Sequence, residues 1–257
     1  MARVFITGSS DGLGLMAARL LAAEGHHVAL HARNAARAEE TRQALPSALA
    51  VLIGDLSSIA ETRALAERVN QLGAFDAVIH NAGIGYREPK RIETVDGLPQ
   101  LFAVNTLAPY ILTALIEKPK RLIYLSSLLH RRTEGVLDDL LWQKRPWDGT
   151  QAYSETKFHD VLLAFAMARY WPGIYSNALE PGWVATKMGG PDANDDLDAA
   201  YRTQAWLAVS DDPLATGSGG YFYHQRPQKV HPAAHQIELQ DALINTCAGL
   251  SGINITH

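Results

Sequence analysis

The chain of 257 residues has almost no cysteine, since Cys247 is the only one. A single thiol cannot form an internal disulfide or build a cysteine-based metal cluster. The ten histidines show no HExxH or comparable spacing, so we expect no metal site. Proteins without disulfides are typical of reducing compartments, which predicts a cytoplasmic location.

Long runs of one kind of residue are also missing. The largest basic block is the pair Arg131 and Arg132, and 23 Lys and Arg against 27 Asp and Glu give a net charge of −4. This balance does not indicate a nucleic-acid surface. No apolar run approaches the roughly 18–20 residues of a membrane helix. The opening MARVFITG reaches a glycine-rich loop too early for a signal peptide. We therefore expect neither a nucleic-acid nor a membrane partner.

What the sequence does contain is an alternation of short apolar runs with helix-length segments. Its 47% hydrophobic and 19% charged residues are typical of a globular protein. Strands spaced in this way indicate βαβ units and a parallel sheet. No linker or repeat divides the chain, so we expect one domain over 1–257. The predicted strands are 4–7, 27–32, 48–53, 77–80, 121–127 and 174–179.

Capping residues predict the ends of two helices. The segment 12–24 is followed by Gly25, and glycine favours the left-handed conformation that ends many helices. Ser58 and Glu61 have the spacing of a capping box, which predicts a helix from there to Leu72.

A further helix is predicted from Pro99 through Tyr110, because proline is tolerated in a first helical turn. The apolar rhythm breaks for long only at about 128–150 and about 187–196. Open α/β folds place their sites outside the carboxyl ends of the strands. We therefore expect both segments to lie over that edge of the sheet.

The motif TGSSDGLG, Thr7 to Gly14, joins the first predicted strand to the first helix. Its glycines, Gly8, Gly12 and Gly14, have the spacing GxxxGxG instead of GxGxxG. Glycines at such a turn let the backbone approach a phosphate, and the helix N-terminus adds free N–H groups and partial positive charge. Taken alone, the motif is equally compatible with a tight turn that binds nothing.

The second predicted strand ends in HARN, which contains His31, Arg33 and Asn34. An NAD-selective fold carries an acid here for the ribose 2′-hydroxyl. A guanidinium pairs with a 2′-phosphate, which a carboxylate would repel. Arg33 therefore favours NADP over NAD, and the alternative is a solvated arginine at a strand end.

Tyr153 and Lys157 are four residues apart in QAYSETKFHDVLLAFAMA, so on a helix they share one face. A free tyrosine has a pKa near 10, and a neighbouring ammonium lowers that pKa towards the range useful for proton transfer. The pair alone is a weak signal, because many surface helices carry it. It gains weight from its position after a nucleotide-type first half.

Together the motifs resemble those of the short-chain dehydrogenase/reductase family, over almost the whole chain. The glycine spacing is similar to that of the family's non-extended branch. The resemblance implies an α/β fold with a Rossmann-like doubly wound parallel sheet of about seven strands in three αβα layers. It also implies an NADP(H)-dependent oxidoreductase. The matching segments are TGSSDGLG, Asp55, NAG at 81–83, Asn105, the pair Ser126 and Ser127, YSETK at 153–157 and PGWVAT at 181–186.

The resemblance also implies a role for each catalytic residue. Tyr153 would exchange a proton with the substrate oxygen, and Lys157 would lower its pKa and bind the nicotinamide ribose. Ser127 would orient the substrate, although Ser126 is an alternative for that role. Asn105 would position the water of a proton relay. The implied cofactor contacts are Gly8, Ser9, Ser10, Gly12, Leu13, Gly14, Arg33, Asn34, Asp55, Leu56, Asn81, Ala82, Gly83, Tyr153, Lys157, Pro181, Gly182, Val184 and Thr186.

One departure from the pattern of compact family members indicates a particular subgroup. Ser127 and Tyr153 are 26 positions apart, about twice the spacing in compact members. This interval, HARN and the chain's ending resemble the retinol dehydrogenase-like and WW-domain oxidoreductase-like subgroup. We expect an inserted segment at about 128–150 and a C-terminal extension at about 224–257. The insertion is predicted to form an amphipathic helix with these residues inward: Val136, Leu137, Leu140 and Leu141.

Tryptophans near these segments bear on the substrate. Trp142 and Trp147 lie in the insertion and Trp183 follows the PG motif. Aromatic residues at an active-site mouth suit a bulky apolar or ring-bearing carbonyl or alcohol, and the alternative is that all three only pack.

Two further alternatives stay open. The insertion and the extension could cover the helices through which compact relatives pair, so the chain is either a monomer or a homodimer. A fold of this kind could also act without turnover, as an NADP(H)-binding redox sensor or an interaction protein. The complete set Ser127, Tyr153, Lys157 and Asn105 favours the enzyme, because a sensor does not need all four.

Overall fold

A computed structural model of the protein describes residues 1–256. Its strands form one eight-stranded sheet in the order β3-β2-β1-β4-β5-β6-β7-β8. Strands β1 to β7 run parallel, and the short β8 pairs antiparallel with β7. The strands are β1 (Arg3–Ile6), β2 (His27–Ala32), β3 (Ala50–Ile53), β4 (Ala77–His80), β5 (Arg121–Leu125), β6 (Tyr175–Glu180), β7 (Tyr221–Tyr223) and β8 (Arg226–Pro227).

The Rossmann-like prediction is confirmed, with helices on both faces of the sheet. Helices α1 and α7 pack together over one apolar core, and α3, α5 and α6 pack over the other. Among residues 1–256, none of the helices has the length and apolar composition to cross a membrane. The helices are α1 (Gly12–Ala23), α2 (Ala35–Ala44), α3 (Ile59–Gln71), α4 (Gln100–Phe102), α5 (Ala108–Leu115), α6 (Gly149–Tyr170), α7 (Leu197–Val209) and α8 (Ile237–Ser251).

The predicted helix ends are partly confirmed. Helix α1 ends before Gly25, which has φ of +85°. Ser58 caps α3 by accepting the backbone N–H of Glu61 at 3.4 Å. The capping box also predicts a hydrogen bond from the Ser58 N–H to the Glu61 side chain. That part is wrong, because the Glu61 carboxylate accepts the N–H of Asp55 at 2.7 Å. Glu61 therefore fixes the turn after β3.

The helix that begins after Pro99 is longer than predicted and is interrupted by a π-helical turn, Ala103–Leu107, between α4 and α5. Pro109 explains this turn. It has no N–H to donate to the carbonyl of Asn105 four residues earlier, and its ring would clash with that carbonyl. A wider turn relieves both problems, and π turns of this kind occur often at functional sites.

The inserted segment does not form the amphipathic helix that the sequence predicts. It contains a 3-10 turn at Leu128–Arg132 and then irregular chain, with positive φ at Gly135 (+70°) and Trp142 (+52°). The Asp139 carboxylate accepts the N–H groups of Gln143 and Lys144, which holds a turn where a helix was expected.

The C-terminal segment covers the outer face of α6. Helix α8 packs against α6 and α5. Arg169 donates to Gln240, the Tyr170 hydroxyl donates to Asp241 at 2.7 Å, and the Trp171 indole donates to the Thr256 carbonyl at 2.7 Å. Every residue of α6 from 152 to 167 is buried within one chain, between the sheet, the neighbouring turns and α8.

Candidate active site

A cleft of about 510 Å³ lies at the carboxyl edge of the sheet. It joins the glycine-rich turn at one end to Tyr153 and Lys157 at the other. The cleft is lined by these residues from the predicted set: Gly8, Ser10, Gly12, Leu13, Arg33, Asp55, Leu56, Asn81, Ala82, Gly83, Tyr153, Lys157, Pro181 and Thr186. One edge of the fold thus brings together motifs that are distant in sequence.

The glycines of the first turn are required by close packing. A Cβ at Gly8 would lie 2.7 Å from the Ala82 Cα, and one at Gly14 would lie 2.4 Å from the Asn81 amide nitrogen. That nitrogen donates to the carbonyls of Thr7 and Gly8 at 2.9 and 3.1 Å. The NAG segment therefore sits directly behind the turn and fixes its backbone.

The start of α1 fits a phosphate group. Leu13 and Gly14 occupy the first turn of α1, and a helix leaves the N–H groups of its first turn without an intrahelical acceptor. The Asp11 carboxylate caps the N–H of Gly12 at 2.8 Å. The N–H of Gly8 donates to His31 Nδ1 at 2.9 Å. These contacts fix the turn beside the N–H donors at the start of α1, and such donors suit the diphosphate of a dinucleotide.

Two residues of this region that are predicted as cofactor contacts have side chains engaged within the fold. The hydroxyl of Ser9 is buried, donates to the Ile6 carbonyl at 2.7 Å and accepts the N–H of His31. The side chain of Asn34 caps α2 by accepting the N–H of Arg37 at 3.0 Å. Both polar groups are used within the fold and neither residue lines the cleft.

Two arginines line the cleft near the glycine-rich turn. Arg33 is exposed where β2 ends, and Arg37 projects from the first turn of α2 to lie 3.5 Å from the Asp11 carboxylate. Sequence reasoning missed Arg37. Its spacing of four residues from Arg33, across a capped helix start, was a usable signal.

At the other end, Tyr153 and Lys157 share one face of α6, as predicted. Burial raises the pKa of Tyr153, and it outweighs the lowering caused by Lys157 and by a hydrogen bond with Ser127. The expectation of a lowered pKa is therefore wrong for this structure. Lys157 does lower the pKa of Tyr153, as expected, but the increase caused by burial is larger.

The two serines after β5 have different surroundings. The hydroxyl of Ser126 is buried and donates to the backbone carbonyl of Lys157 at 2.6 Å. Ser127 is only half-buried and bonds to Tyr153. Its hydroxyl also accepts the N–H of Leu129 at 3.3 Å. Ser126 lines the cleft, whereas Ser127 lowers the pKa of Tyr153, so both serines stay candidates for orienting a substrate.

Asn105 lies in the π turn, fully buried behind the cleft wall. Its side-chain oxygen accepts the N–H of Ile84 at 2.9 Å, and its amide donates to the Ile84 carbonyl and to Thr156 at 3.1 Å each. A Cβ at Gly83 would lie 3.4 Å from Lys157 Nζ and 3.5 Å from the Asn105 oxygen. Asn105 therefore fixes the chain after β4 beside Lys157.

The segment after β6 closes over the site. The Met188 sulfur lies 4.0 Å from the Tyr153 hydroxyl, and Lys187 pairs with Asp11 across the cleft. Gly182 and Val184 lie outside the cleft lining, although Val184 is buried beside it. Sequence reasoning missed Lys187 and Met188, for which no local pattern gave a signal.

The three tryptophans do not line the cleft. The rings of Trp142 and Trp147 are 5.2 Å apart, in an apolar group that includes Tyr153. The Trp183 indole donates to the Gly189 carbonyl at 3.0 Å and so holds its own loop. The structure therefore supports packing for Trp142 and Trp147, whereas Trp183 is 47% exposed.

Sequence reasoning also missed a carboxylate beside the lysine. Asp160 is buried and accepts a hydrogen bond from Lys157 Nζ at 2.8 Å. Its position three residues after Lys157, on the same helix face, was a signal in the sequence.

Comparison with known proteins gives a consistent result. A family model described as short chain dehydrogenase matches residues 2–121. An uncharacterised oxidoreductase of Emericella nidulans is 48% identical over 259 residues, which cover 99% of each chain. A short-chain dehydrogenase of Penicillium rubens is 42% identical over 260 residues, again with 99% of each chain covered. Human retinol dehydrogenase 13 is 29% identical, covering 97% of this chain and 84% of its own.

Solved structures share the fold. An uncharacterised protein from Mycobacterium paratuberculosis superposes with a TM-score of 0.87 at 24% identity, covering 100% of this chain and 96% of its own. An NADPH-bound carbonyl reductase from chicken fatty liver superposes with a TM-score of 0.67 at 22% identity, covering 88% of this chain and 97% of its own.

Proposed function

The chain belongs to the short-chain dehydrogenase/reductase family, and we propose that it is an NADP(H)-dependent oxidoreductase acting on a bulky apolar or ring-bearing carbonyl or alcohol. The observation that carries this proposal is the continuity of one cleft from the phosphate-binding turn to the Tyr153 side chain. A coenzyme bound along it supplies or accepts hydride at its nicotinamide ring.

The residues at the Tyr153 end have the groups that such a reaction needs. The Tyr153 hydroxyl donates its proton to a carbonyl oxygen in reduction, and the phenolate accepts it back in oxidation. Ser127 is bonded to Tyr153, so its hydroxyl orients the same substrate oxygen. Lys157 holds one further N–H donor for the ribose, and Asn105 keeps the neighbouring chain in place.

The preference for NADP(H) rests on the charges at the adenosine end. Arg33 and Arg37 both line the cleft there, and guanidinium groups bind a 2′-phosphate strongly. Asp55, a carboxylate in the cleft lining, accepts the N–H and hydroxyl of Ser57 at 2.9 and 2.8 Å. The NADPH-bound carbonyl reductase with the same fold is consistent with this choice.

An apolar substrate is favoured by the surface beside Tyr153. Leu128, Trp183 and Met188 are 53%, 47% and 37% exposed in the two segments that border this end of the cleft. Large exposed apolar residues around a concave site mark a surface that a ligand covers. We place the reaction in the cytoplasm, where the buried thiol of Cys247 stays reduced.

The test is a panel of aromatic and aliphatic ketones, aldehydes and quinones assayed for NADPH oxidation by absorbance. Tyr153→Phe should lower turnover by about 10²–10⁴-fold and leave NADPH binding unchanged. Tyr201→Phe, on α7 away from the cleft, is the matched control and should leave turnover intact. Full turnover by Tyr153→Phe would refute the assignment. NADPH binding with no substrate turned over would instead favour the redox sensor.

A further inference from the structure

Lys157 has a buried partner of opposite charge. Its side chain is 5% exposed, and its Nζ donates to the Leu125 carbonyl at 2.7 Å and to Asp160 at 2.8 Å. The Asp160 side chain is itself 3% exposed. An ammonium has three N–H donors, so these two bonds fix the nitrogen and leave one donor for the cleft.

The pair changes the charge that Tyr153 experiences. A buried ammonium alone would favour the phenolate, because an opposite charge nearby favours ionisation. Lys157 does lower the pKa of Tyr153, but Asp160 raises it. Burial raises the pKa of Asp160 to about 7, against the opposing charge of Lys157. At the high pH where Tyr153 ionises, Asp160 therefore carries its full negative charge.

The other titratable groups that face the pair and Tyr153 are phenols. Tyr86, from the chain after β4, lies with its ring 5.7 Å from that of Tyr153. Tyr124 of β5 is influenced by Asp160, and Tyr221 of β7 by Tyr153. Phenols are neutral near physiological pH. Among these neighbours, Lys157 and Asp160 are therefore the groups that carry charge near that pH.

We propose that Asp160 is a positioning residue that holds Lys157 against Leu125 and opposes the effect of its charge on Tyr153. This inference rests on the proposed function, in which the Tyr153 hydroxyl exchanges a proton with the substrate oxygen.

The experiment titrates Tyr153 itself, in protein free of coenzyme and substrate. Tyrosinate absorbance is followed against pH for each protein and for its Tyr153→Phe counterpart, and the difference isolates Tyr153. Asp160→Asn should lower the midpoint by about one pH unit, because an unopposed ammonium favours the phenolate. Asp160→Glu should keep the midpoint close to that of the original protein. The midpoint of Asp160→Asn staying in place or rising would overturn the proposal.

Glu155→Gln is the matched control. Glu155 is a buried carboxylate on the same helix, but it pairs with Arg145 at 2.6 Å and does not contact Lys157. Its removal should leave the Tyr153 midpoint unchanged. An equal fall of the Tyr153 midpoint in Glu155→Gln would show that removing any negative charge from α6 has the same effect. That result would also overturn the assignment to Asp160.

A second pair of variants covers the case in which Asp160→Asn does not fold. Lys157→Gln should raise the midpoint, and Lys157→Gln with Asp160→Asn should lower it again towards the original value, because both charges are gone. No difference between these two variants would contradict the proposal. Since no turnover is measured, an enzyme without carbonyl substrates would refute the proposed function and leave this result standing.

Discussion

The two ends of the cleft are built in different ways. The end proposed to receive the phosphates is made of backbone, because Gly8 and Gly14 pack against the segment at 81–83. The end proposed to carry out the reaction is made of buried side chains, Tyr153 and Lys157, whose pKa values depend on neighbours from other segments. Close packing therefore shapes the first end, and burial and charge shape the second.

This difference determines how much of each end could be predicted from the sequence. The phosphate end is encoded locally, since glycine spacing and Arg33 are adjacent in sequence to the turns they form. The pair Tyr153 and Lys157 was also visible as a four-residue spacing. The raised pKa of Tyr153 was not predictable, because burial and Asp160 act through the folded environment. The π turn at Asn105 depends on Pro109, a proline whose effect lies four residues upstream.

The largest effect on NADPH binding is expected from adding one carbon atom to the glycine-rich turn. In Gly14→Ala the new Cβ would lie 2.4 Å from the Asn81 amide and 2.8 Å from the Gly8 carbonyl. Overpacking of this kind costs about 1–3 kcal/mol, so NADPH affinity should fall by about tenfold or more. Gly249→Ala in α8, where a Cβ meets nothing within 4 Å, is the control and should bind NADPH normally. Isothermal calorimetry measures both, and equal affinities would contradict the packing argument.

A smaller and more selective effect is expected from Arg33→Ala. Loss of a charge-assisted hydrogen bond costs about 1.5–3 kcal/mol, so NADPH should bind about tenfold more weakly while NADH is hardly affected. Arg42→Ala, an exposed arginine on α2 outside the cleft lining, is the control. Fluorescence titration measures the affinity of each variant for NADPH and for NADH. Equal losses for NADPH and NADH would remove Arg33 from the 2′-phosphate site.

The smallest effect is a pH dependence of stability at the phosphate end. Burial lowers the pKa of His31 from 6.5 to about 4, so the unfolded chain binds a proton more readily than the folded one. Stability is then fully present above 6.5 and is lost as pH falls towards 4. His31 should contribute a loss of about 1 kcal/mol over the first pH unit below 6.5.

His31→Gln should reduce the pH slope of the free energy of unfolding, measured with urea. His27→Gln, at the exposed start of the same strand β2, is the comparison variant and should keep the slope. If both variants have the slope of the original protein, the imidazole that accepts the Gly8 N–H does not titrate on unfolding.

Helix α8 has a consequence for how the protein is made. Synthesis runs from the N-terminus, so the helix bearing Tyr153 and Lys157 leaves the ribosome well before residues 237–251, which cover it. Until then an apolar face of α6 stays open to water and to other nascent chains, and exposed faces of this kind favour aggregation. A chain cut short before α8 would carry every residue of the cleft described above and still be a target for chaperones and proteases.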